Sequence, residues 1–115
     1  MKIKEVANNR TPLNISEWND EEKAYIKTMN GFERLAFNDF FITFYNKQND
    51  AEPRFDAGFR AALMVLVDEE GRLLLSEADR DAIRNGSFLP LFRLFDVVIA
   101  TEEKKDEGLE TTKKN

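Results

Sequence analysis

The chain has 115 residues, of which 42% are hydrophobic and 34% charged, a composition that suits one compact domain with a buried core. Its formal net charge of −5 disfavours non-specific binding to nucleic acid or to an anionic membrane, because both need a positive protein surface. The absence of histidine and cysteine excludes disulfides, thiolate nucleophiles, imidazole bases and the two commonest zinc ligands.

Residues 1–12 are mostly polar and are predicted to form an N-terminal arm outside the core. The arm lacks the apolar segment that a signal peptide needs. No uncharged run in the chain approaches the roughly 20 residues that cross a bilayer. We therefore expect a soluble, intracellular protein.

Two short alternating runs follow the arm, at 13–15 and 24–28, with a polar turn at 16–22 between them. This pattern predicts a small β-hairpin. A lone hairpin is marginally stable in water, so we expect it to pack on a larger element.

The strongest helix signal begins at Asn30, which can cap a helix, with Glu33 three residues later completing a capping box. From 32 to 45 there is no glycine or proline. Along this helix an apolar stripe sweeps about half of the circumference. Its members are Ala36, Phe37, Phe40, Phe41, Phe44 and Tyr45.

Three further helices are predicted, over 53–67, over 76–86 with a Ser76 cap, and over 88–100. The fold class is therefore mainly α: a small four-helix domain with a short N-terminal β-hairpin, formed by residues 13–100. The charged tail at 101–115 is interpreted as either disordered or a solvated helix.

The residues carry no catalytic signature. The serines lack a G-x-S-x-G elbow and a histidine base, and the glycines form neither a dinucleotide-binding nor a phosphate-binding loop. The acidic runs 20–22 and 68–70 lie in polar, turn-like stretches, where solvated charge is a simpler interpretation than an acid/base pair. We predict that the protein is not an enzyme and uses no cofactor or metal.

One segment, 66–77, partly matches a calcium loop, since Asp68, Glu70 and Glu77 fall on ligand positions. Its first position is Leu66, which has no side-chain oxygen to bind the ion. A plain connection between two helices is the simpler interpretation, and a degenerate calcium-sensing module is a minor alternative.

The sequence contains ten phenylalanines among 115 residues, and this aromatic surplus is its strongest indication of function. A small four-helix domain cannot easily bury apolar stripes this wide, and large exposed apolar patches usually mark protein partners. An aromatic-rich core is the competing interpretation. The fourth predicted helix adds a stripe of its own, formed by Phe88, Leu91, Phe92, Phe95, Val98 and Ile99.

Four segments, taken in order along the chain, resemble the small tail assembly chaperones of long-tailed phages. They are residues 15–18, 24–34, 67–79 and 91–97. The first two are similar to the family's Pro-Glu-Trp turn, Val-x-Val-Arg strand and Ser-Gly-x-Glu-Arg-x-x-Phe helix start. The last two are similar to its turn with the third helix and to its last core helix.

The resemblance implies a non-catalytic chaperone that binds the tail tape measure protein, keeps it soluble and helps to recruit the major tail protein. It implies action in the host cytoplasm and absence from the finished virion, with neither nucleic acid nor membrane as a partner. A homo-oligomer is compatible with the apolar surplus. The alternative hypothesis is a prophage-encoded regulatory or inhibitory adaptor that binds a host protein.

Three aromatic residues on the first helix, Phe37, Phe41 and Tyr45, are predicted to contact the partner, because they flank the stripe that a core would take. Phe40 and Phe44 are predicted to be core residues. Periodicity leaves open which edge of the stripe faces inward.

Overall fold

The computed structural model describes the backbone of residues 1–5, 7 and 9–114, and the side chains of the same residues as far as 101. Within that part of the chain there are four α-helices, one short 3-10 helix and three short strands. The predicted fold class, a mainly α domain with an N-terminal hairpin, is confirmed.

The predicted hairpin is part of a three-stranded antiparallel sheet. Strand β1, Arg10–Leu13, pairs with β2, Ala24–Lys27, and β2 pairs in turn with the two-residue strand β3, Leu66–Val67. Strand β1 therefore begins inside the predicted polar arm, because Arg10 is paired with Lys27. The third strand replaces the end of the second predicted helix.

Neither edge of this sheet offers a complete row of free hydrogen-bonding groups. Strand β1 contains Pro12, which has no N–H to donate. The far side of β3 is covered by the segment that follows it, where the Leu74 N–H donates to the Leu66 carbonyl and Val67 is bridged to Leu73. Strand addition by a partner is therefore disfavoured, and the helices supply the surface available for association.

Helix α1, Gly31–Tyr45, begins at the predicted capping box, which is confirmed. The Asn30 side chain accepts a hydrogen bond from the Glu33 N–H at 2.8 Å, and the Glu33 carboxylate accepts one from the Asn30 N–H at 3.0 Å. Lys27 Nζ lies 2.5 Å from the Glu33 carboxylate, so the end of β2 is joined to the first turn of α1. These contacts fix the start of α1 and thereby which side chains face the core.

Helix α2, Ala51–Val65, is shifted by two residues at each end from the predicted range 53–67. Its C-terminal boundary differs because residues 66 and 67 are extended and hydrogen-bond to β2. Both residues are buried, as they are expected to be in either conformation, so burial alone could not distinguish strand from helix.

The third predicted helix is a 3-10 turn, Glu77–Asp79, that continues into α3, Arg80–Asn85. Ser76 stands at the predicted cap position, where its N–H donates to the Asp79 carboxylate at 2.8 Å. Helix α4, Leu89–Lys114, has a helical backbone that runs beyond its predicted end at residue 100. From 102 onward the side chains of the predicted charged tail lie outside the described residues.

The core lies between α1, α2, α4 and the sheet, and its centre is aromatic. The ring of Phe95, on α4, lies 5.1 Å from that of Phe37 and 4.6 Å from that of Phe44. Gly58 allows α2 to approach, because a Cβ at this position would lie 2.8 Å from the Phe44 ring. The aromatic surplus thus supplies the core, in agreement with one of the two interpretations of the sequence.

Two side chains join the loop between β1 and β2 to α4 and to the segment just before it. Arg93 pairs with both carboxylate oxygens of Glu17, at 2.9 and 2.6 Å, and donates to the Asn14 carbonyl at 2.6 Å. Trp18 Nε1 donates to the Ser87 carbonyl at 2.8 Å. The Arg93 guanidinium lowers the pKa of Glu17 to about 2, because it hydrogen-bonds the charged form of the carboxylate.

Candidate interaction surface

Helix α1 is apolar on two opposite faces. Its inner face packs on the core through Phe37 and Phe44, whose exposed fractions are 2% and 3%. Its outer face, formed by Phe32, Leu35 and Ile42, is exposed by 80%, 68% and 63% respectively. Helical spacing explains this grouping, since residues three, seven or ten apart lie on one side of a helix. We call these three side chains the outer face of α1.

The structure separates the three predicted partner contacts. Phe37 is a core residue, and its prediction as a surface contact is corrected, because its ring packs against Phe95 inside the domain. Phe41 is half-buried, with its ring 5.9 Å from that of Phe95. Tyr45 is exposed by 38%, and its ring lies 4.9 Å from that of Phe41. Only Phe41 and Tyr45 therefore reach the surface.

The two predicted core residues on α1 also differ. Phe44 is buried, as predicted, and contacts both Phe92 and Phe95 of α4. Phe40 is only half-buried and packs against the margin of the core. The wide aromatic stripe therefore faces inward along its centre and leaves its margins partly open to solvent.

Tyr45 extends the exposed surface from α1 toward α4. Its hydroxyl donates to Asp96 Oδ1 at 3.5 Å, across the gap between the two helices. Partial burial, reinforced by the neighbouring Asp96 carboxylate, raises the pKa of Tyr45 above its usual value. On α4 the exposed apolar surface continues with Leu89 and Phe92, which are 55% and 39% exposed.

A shallow cleft of about 160 Å³ opens where the end of α1 meets the starts of α2 and α4. We call it the aromatic cleft. Arg54 is its single charged lining residue, and the Arg54 Nε donates to the Phe44 carbonyl at 2.9 Å. The lining is formed by Phe44, Ala51, Arg54, Phe55, Phe88 and Phe92.

The two acidic runs of the sequence meet in space, because β2 pairs with β3 and brings the turns that adjoin them together. Asp68 closes the second turn by accepting hydrogen bonds from the N–H groups of Glu70 and Arg72. These bonds to the charged form lower the pKa of Asp68, with the bond from Arg72 contributing most. Gly71 completes the turn with a φ of 83°, a conformation that favours glycine.

The suspected calcium loop, 66–77, begins as strand β3 and continues into the turn closed by Asp68. The Leu66 carbonyl, at the first position of the suspected loop, accepts a hydrogen bond from the Leu74 N–H within the sheet. No group of three or more acidic side chains in the described residues is arranged to hold a metal ion. The acidic turns are therefore exposed loops stabilised by their own hydrogen bonds.

The outer face of α1 is the exposed apolar surface that sequence reasoning missed. Its signal was present, since Phe32, Leu35 and Ile42 recur at helical spacing. The aromatic stripe on the opposite side obscured this signal, because six stripe residues outnumber three outer ones. None of the described helices combines the length and the apolar character that crossing a bilayer requires.

Comparison with known proteins gives one structural likeness. No protein-family model and no curated protein matches this chain. Among solved structures, the chain is similar to the tail assembly chaperone of bacteriophage HK97, with a TM-score of 0.43 and 16% sequence identity. The likeness covers 67% of this chain and 69% of that chain. At this TM-score it does not establish a common fold.

Proposed function

We propose that this protein is a non-catalytic tail assembly chaperone that binds the tape measure protein of a long-tailed phage and keeps it soluble. The observation that carries the proposal is the outer face of α1, where three large apolar side chains are 63% to 80% exposed on one helix. Single exposed apolar residues are ordinary, but a row of them along one helix is typical of a protein-binding surface.

The outer face suits a helical client. Phe32, Leu35 and Ile42 lie on one side of α1, a helix of 15 residues, with the exposed polar residues Asn38 and Asp39 between Leu35 and Ile42. An amphipathic client helix laid along this row buries its own apolar stripe at the same time. Because neither edge of the sheet offers a complete row of free hydrogen-bonding groups, we expect side-chain burial rather than strand addition to supply the association free energy.

The identity of the client comes from the sequence resemblance. The segment 24–34, which is similar to the strand and helix start of small tail assembly chaperones, contains the capping box and Phe32. The family-like segment is therefore the one that starts the helix bearing the exposed row. By the same resemblance, the chaperone acts in the host cytoplasm, helps to recruit the major tail protein and is absent from the finished virion.

Phe41 and Tyr45 are proposed as secondary contacts at one side of the outer face. Both are partly exposed, and their rings pack on each other at 4.9 Å. Together with Phe92 of α4, they provide an aromatic border on which the client helix ends can pack.

A co-expression experiment tests the proposed function. This chain is produced with the tape measure protein encoded in the same genome, either as the wild type or with Phe32, Leu35 and Ile42 all replaced by serine. We expect the wild type to keep the client soluble and to co-purify with it, and the triple variant to do neither. The matched control is Leu73→Ser, which removes one 60%-exposed leucine far from α1 in the sequence and is expected to bind as the wild type does.

Two results would contradict the proposal. If the client stays insoluble with the wild type, the adaptor that binds a host protein becomes the leading hypothesis. If the triple variant binds as well as the wild type while the client is soluble, another surface carries the interaction. Circular dichroism on each variant separates lost binding from lost folding.

A further inference from the structure

We infer that the aromatic cleft receives one apolar side chain from a helical segment of the client and that Arg54, at the edge of the cleft, pairs with a carboxylate of the same segment; this segment need not be the one that covers the outer face of α1. The inference rests on the proposed function. It concerns which side chains of the client this protein recognises, and it takes the existence of the client from that proposal. It assigns the cleft a role in specificity that the exposed row on α1 cannot supply, since a row of apolar side chains accepts many amphipathic helices.

The size and lining of the cleft fit one large apolar side chain. Its volume of about 160 Å³ is close to the roughly 150 Å³ of an apolar cavity that holds benzene. Phe44 and Phe92 pack edge to face at 5.0 Å, and Phe55 and Phe88 do so at 5.3 Å, so the rings of the lining are fixed against each other. A leucine or phenylalanine of the client is therefore desolvated on several sides when it enters.

Arg54 supplies the charge that selects the client. Its Nε donates to the Phe44 carbonyl, which holds the guanidinium beside the aromatic rings. Among the described residues, the remaining N–H groups of this guanidinium have no carboxylate partner within ion-pair distance. A planar guanidinium fixed in this manner is suited to a carboxylate that approaches with an apolar neighbour.

The nearby arginines on α3 are already paired, which makes Arg54 distinct. Arg84 pairs with Glu52, and Arg80 pairs with Asp56 and Glu77. Both guanidiniums also cover phenylalanine rings of α2, so their charges serve the fold. In contrast, Arg54 forms no ion pair with any of the described acidic side chains.

The acidic character of the protein restricts the client further. With a net charge of −5, the chain repels a strongly acidic segment. We therefore expect the client helix to be neutral or basic overall, with a single aspartate or glutamate three or four residues from its leucine or phenylalanine.

The test begins with the cleft. Ala51 is an exposed lining residue at the start of α2, so Ala51→Phe fills the cleft without changing the buried core. The matched control is Ala78→Phe, an identical substitution at an exposed site beside Ser76 and away from the cleft lining. Binding to overlapping 25-residue peptides that cover the tape measure protein is measured by fluorescence anisotropy. We expect Ala51→Phe to weaken binding to the recognised peptide by at least about tenfold, and Ala78→Phe to leave it unchanged.

The proposed ion pair of Arg54 is tested by exchanging the charges of its two partners. Arg54→Gln retains a donor for the Phe44 carbonyl but removes the charge, and we expect it to weaken binding by about tenfold. Arg54→Glu should bind the wild-type peptide more weakly still. A peptide whose acidic residue is replaced by lysine should restore binding to Arg54→Glu, which a purely structural role of Arg54 cannot explain.

The outcomes separate this inference from the proposed function. If the wild type binds no part of the tape measure protein, the proposed function fails. If the wild type binds but both phenylalanine variants bind equally well, the cleft inference is overturned and the chaperone role stands. If Ala51→Phe weakens binding but no charge exchange restores it, the pairing of Arg54 is wrong. If Ala51→Phe instead abolishes self-association in analytical ultracentrifugation, the occupant is a second copy of this chain.

Discussion

Phe32 and Phe37 lie five residues apart on the same helix, yet their exposed fractions are 80% and 2%. The side chains are identical, and both lie in the part of α1 that the capping box initiates. The packing around them differs, because α2 and α4 pack against one side of α1 and leave the other side exposed to solvent. A phenylalanine therefore has no intrinsic role, since the same residue is buried in the core or exposed on the surface according to the elements around it.

The two faces of α1 also differ in how much they contribute to the stability of the domain. Burial of Phe37 and Phe44 removes large apolar areas from water and locks the rings against Phe95. Exposure of Phe32, Leu35 and Ile42 leaves the same kind of area uncovered. The inner face therefore stabilises the domain, and the outer face is available to stabilise a complex.

The largest effect is expected from the inner face. Replacing Phe37 with alanine should lower the free energy of unfolding by about 3–5 kcal/mol, because it leaves a cavity beside Phe95. Urea denaturation followed by circular dichroism measures the change. A loss below about 1 kcal/mol would mean that the inner face is not tightly packed. The inner and outer faces of α1 would then not differ in their contribution to stability as we expect.

The second effect concerns the close approach of α2 to the inner face. Gly58→Ala places a Cβ 2.8 Å from the Phe44 ring, and we expect a net loss of about 1–2 kcal/mol after the gain in helix propensity. The matched control is Gly31→Ala, where nothing lies within 4 Å of the added Cβ. Thermal melting should distinguish the two variants, and equal melting temperatures would show that Phe44 can move aside.

A smaller effect on stability is expected from the ion pair that joins the loop between β1 and β2 to α4. Because the pKa of Glu17 falls from 4.5 to about 2 on folding, its ion pair with Arg93 stabilises the protein above pH 4.5. That stability is lost as the pH decreases from 4.5 toward 2. Glu17→Gln should therefore melt at a lower temperature than the wild type at pH 7, and the difference should shrink in acid.

The control for this prediction is Glu69→Gln, which removes an exposed pair with Lys23. Such surface pairs contribute little, so its melting temperature should follow that of the wild type at every pH. If the difference between Glu17→Gln and the wild type is the same at pH 7 and pH 3, the loop is not held by the ionised carboxylate.

The smallest effect on stability is expected from the outer face. Phe32→Ala should change the free energy of unfolding by no more than about 0.5 kcal/mol, because the ring is 80% exposed. The binding to the tape measure protein that we propose should nevertheless be weakened by this substitution. A loss of stability comparable to that of Phe37→Ala would show that the two faces have been distinguished incorrectly.

Local signals in the sequence accounted for most of the fold. The Asn30 and Ser76 caps act through hydrogen bonds to residues three positions away, so their sequence neighbourhood was sufficient to place them. Strand β3 was missed because its partner is about 40 residues away in the chain, and an apolar run of 61–67 suits helix and strand equally.

The candidate site was predicted less well, and the error at Phe37 shows why. Helical periodicity groups residues that share a face, and it correctly placed Phe37, Phe41 and Phe44 on one side of α1. It carries no information on where α2 and α4 pack around that side. The aromatic cleft was beyond sequence reasoning for the same reason, since its lining comes from three helices.

The helical fold class, the capped start of α1 and the abundance of apolar surface follow from the sequence, because capping and periodicity depend on residues a few positions apart. Which of those apolar residues remain exposed depends on the tertiary structure. Burial depends on contacts between distant segments, and the packing of Phe95 and Gly58 on the inner face of α1 left Phe32, Leu35 and Ile42 on the outside.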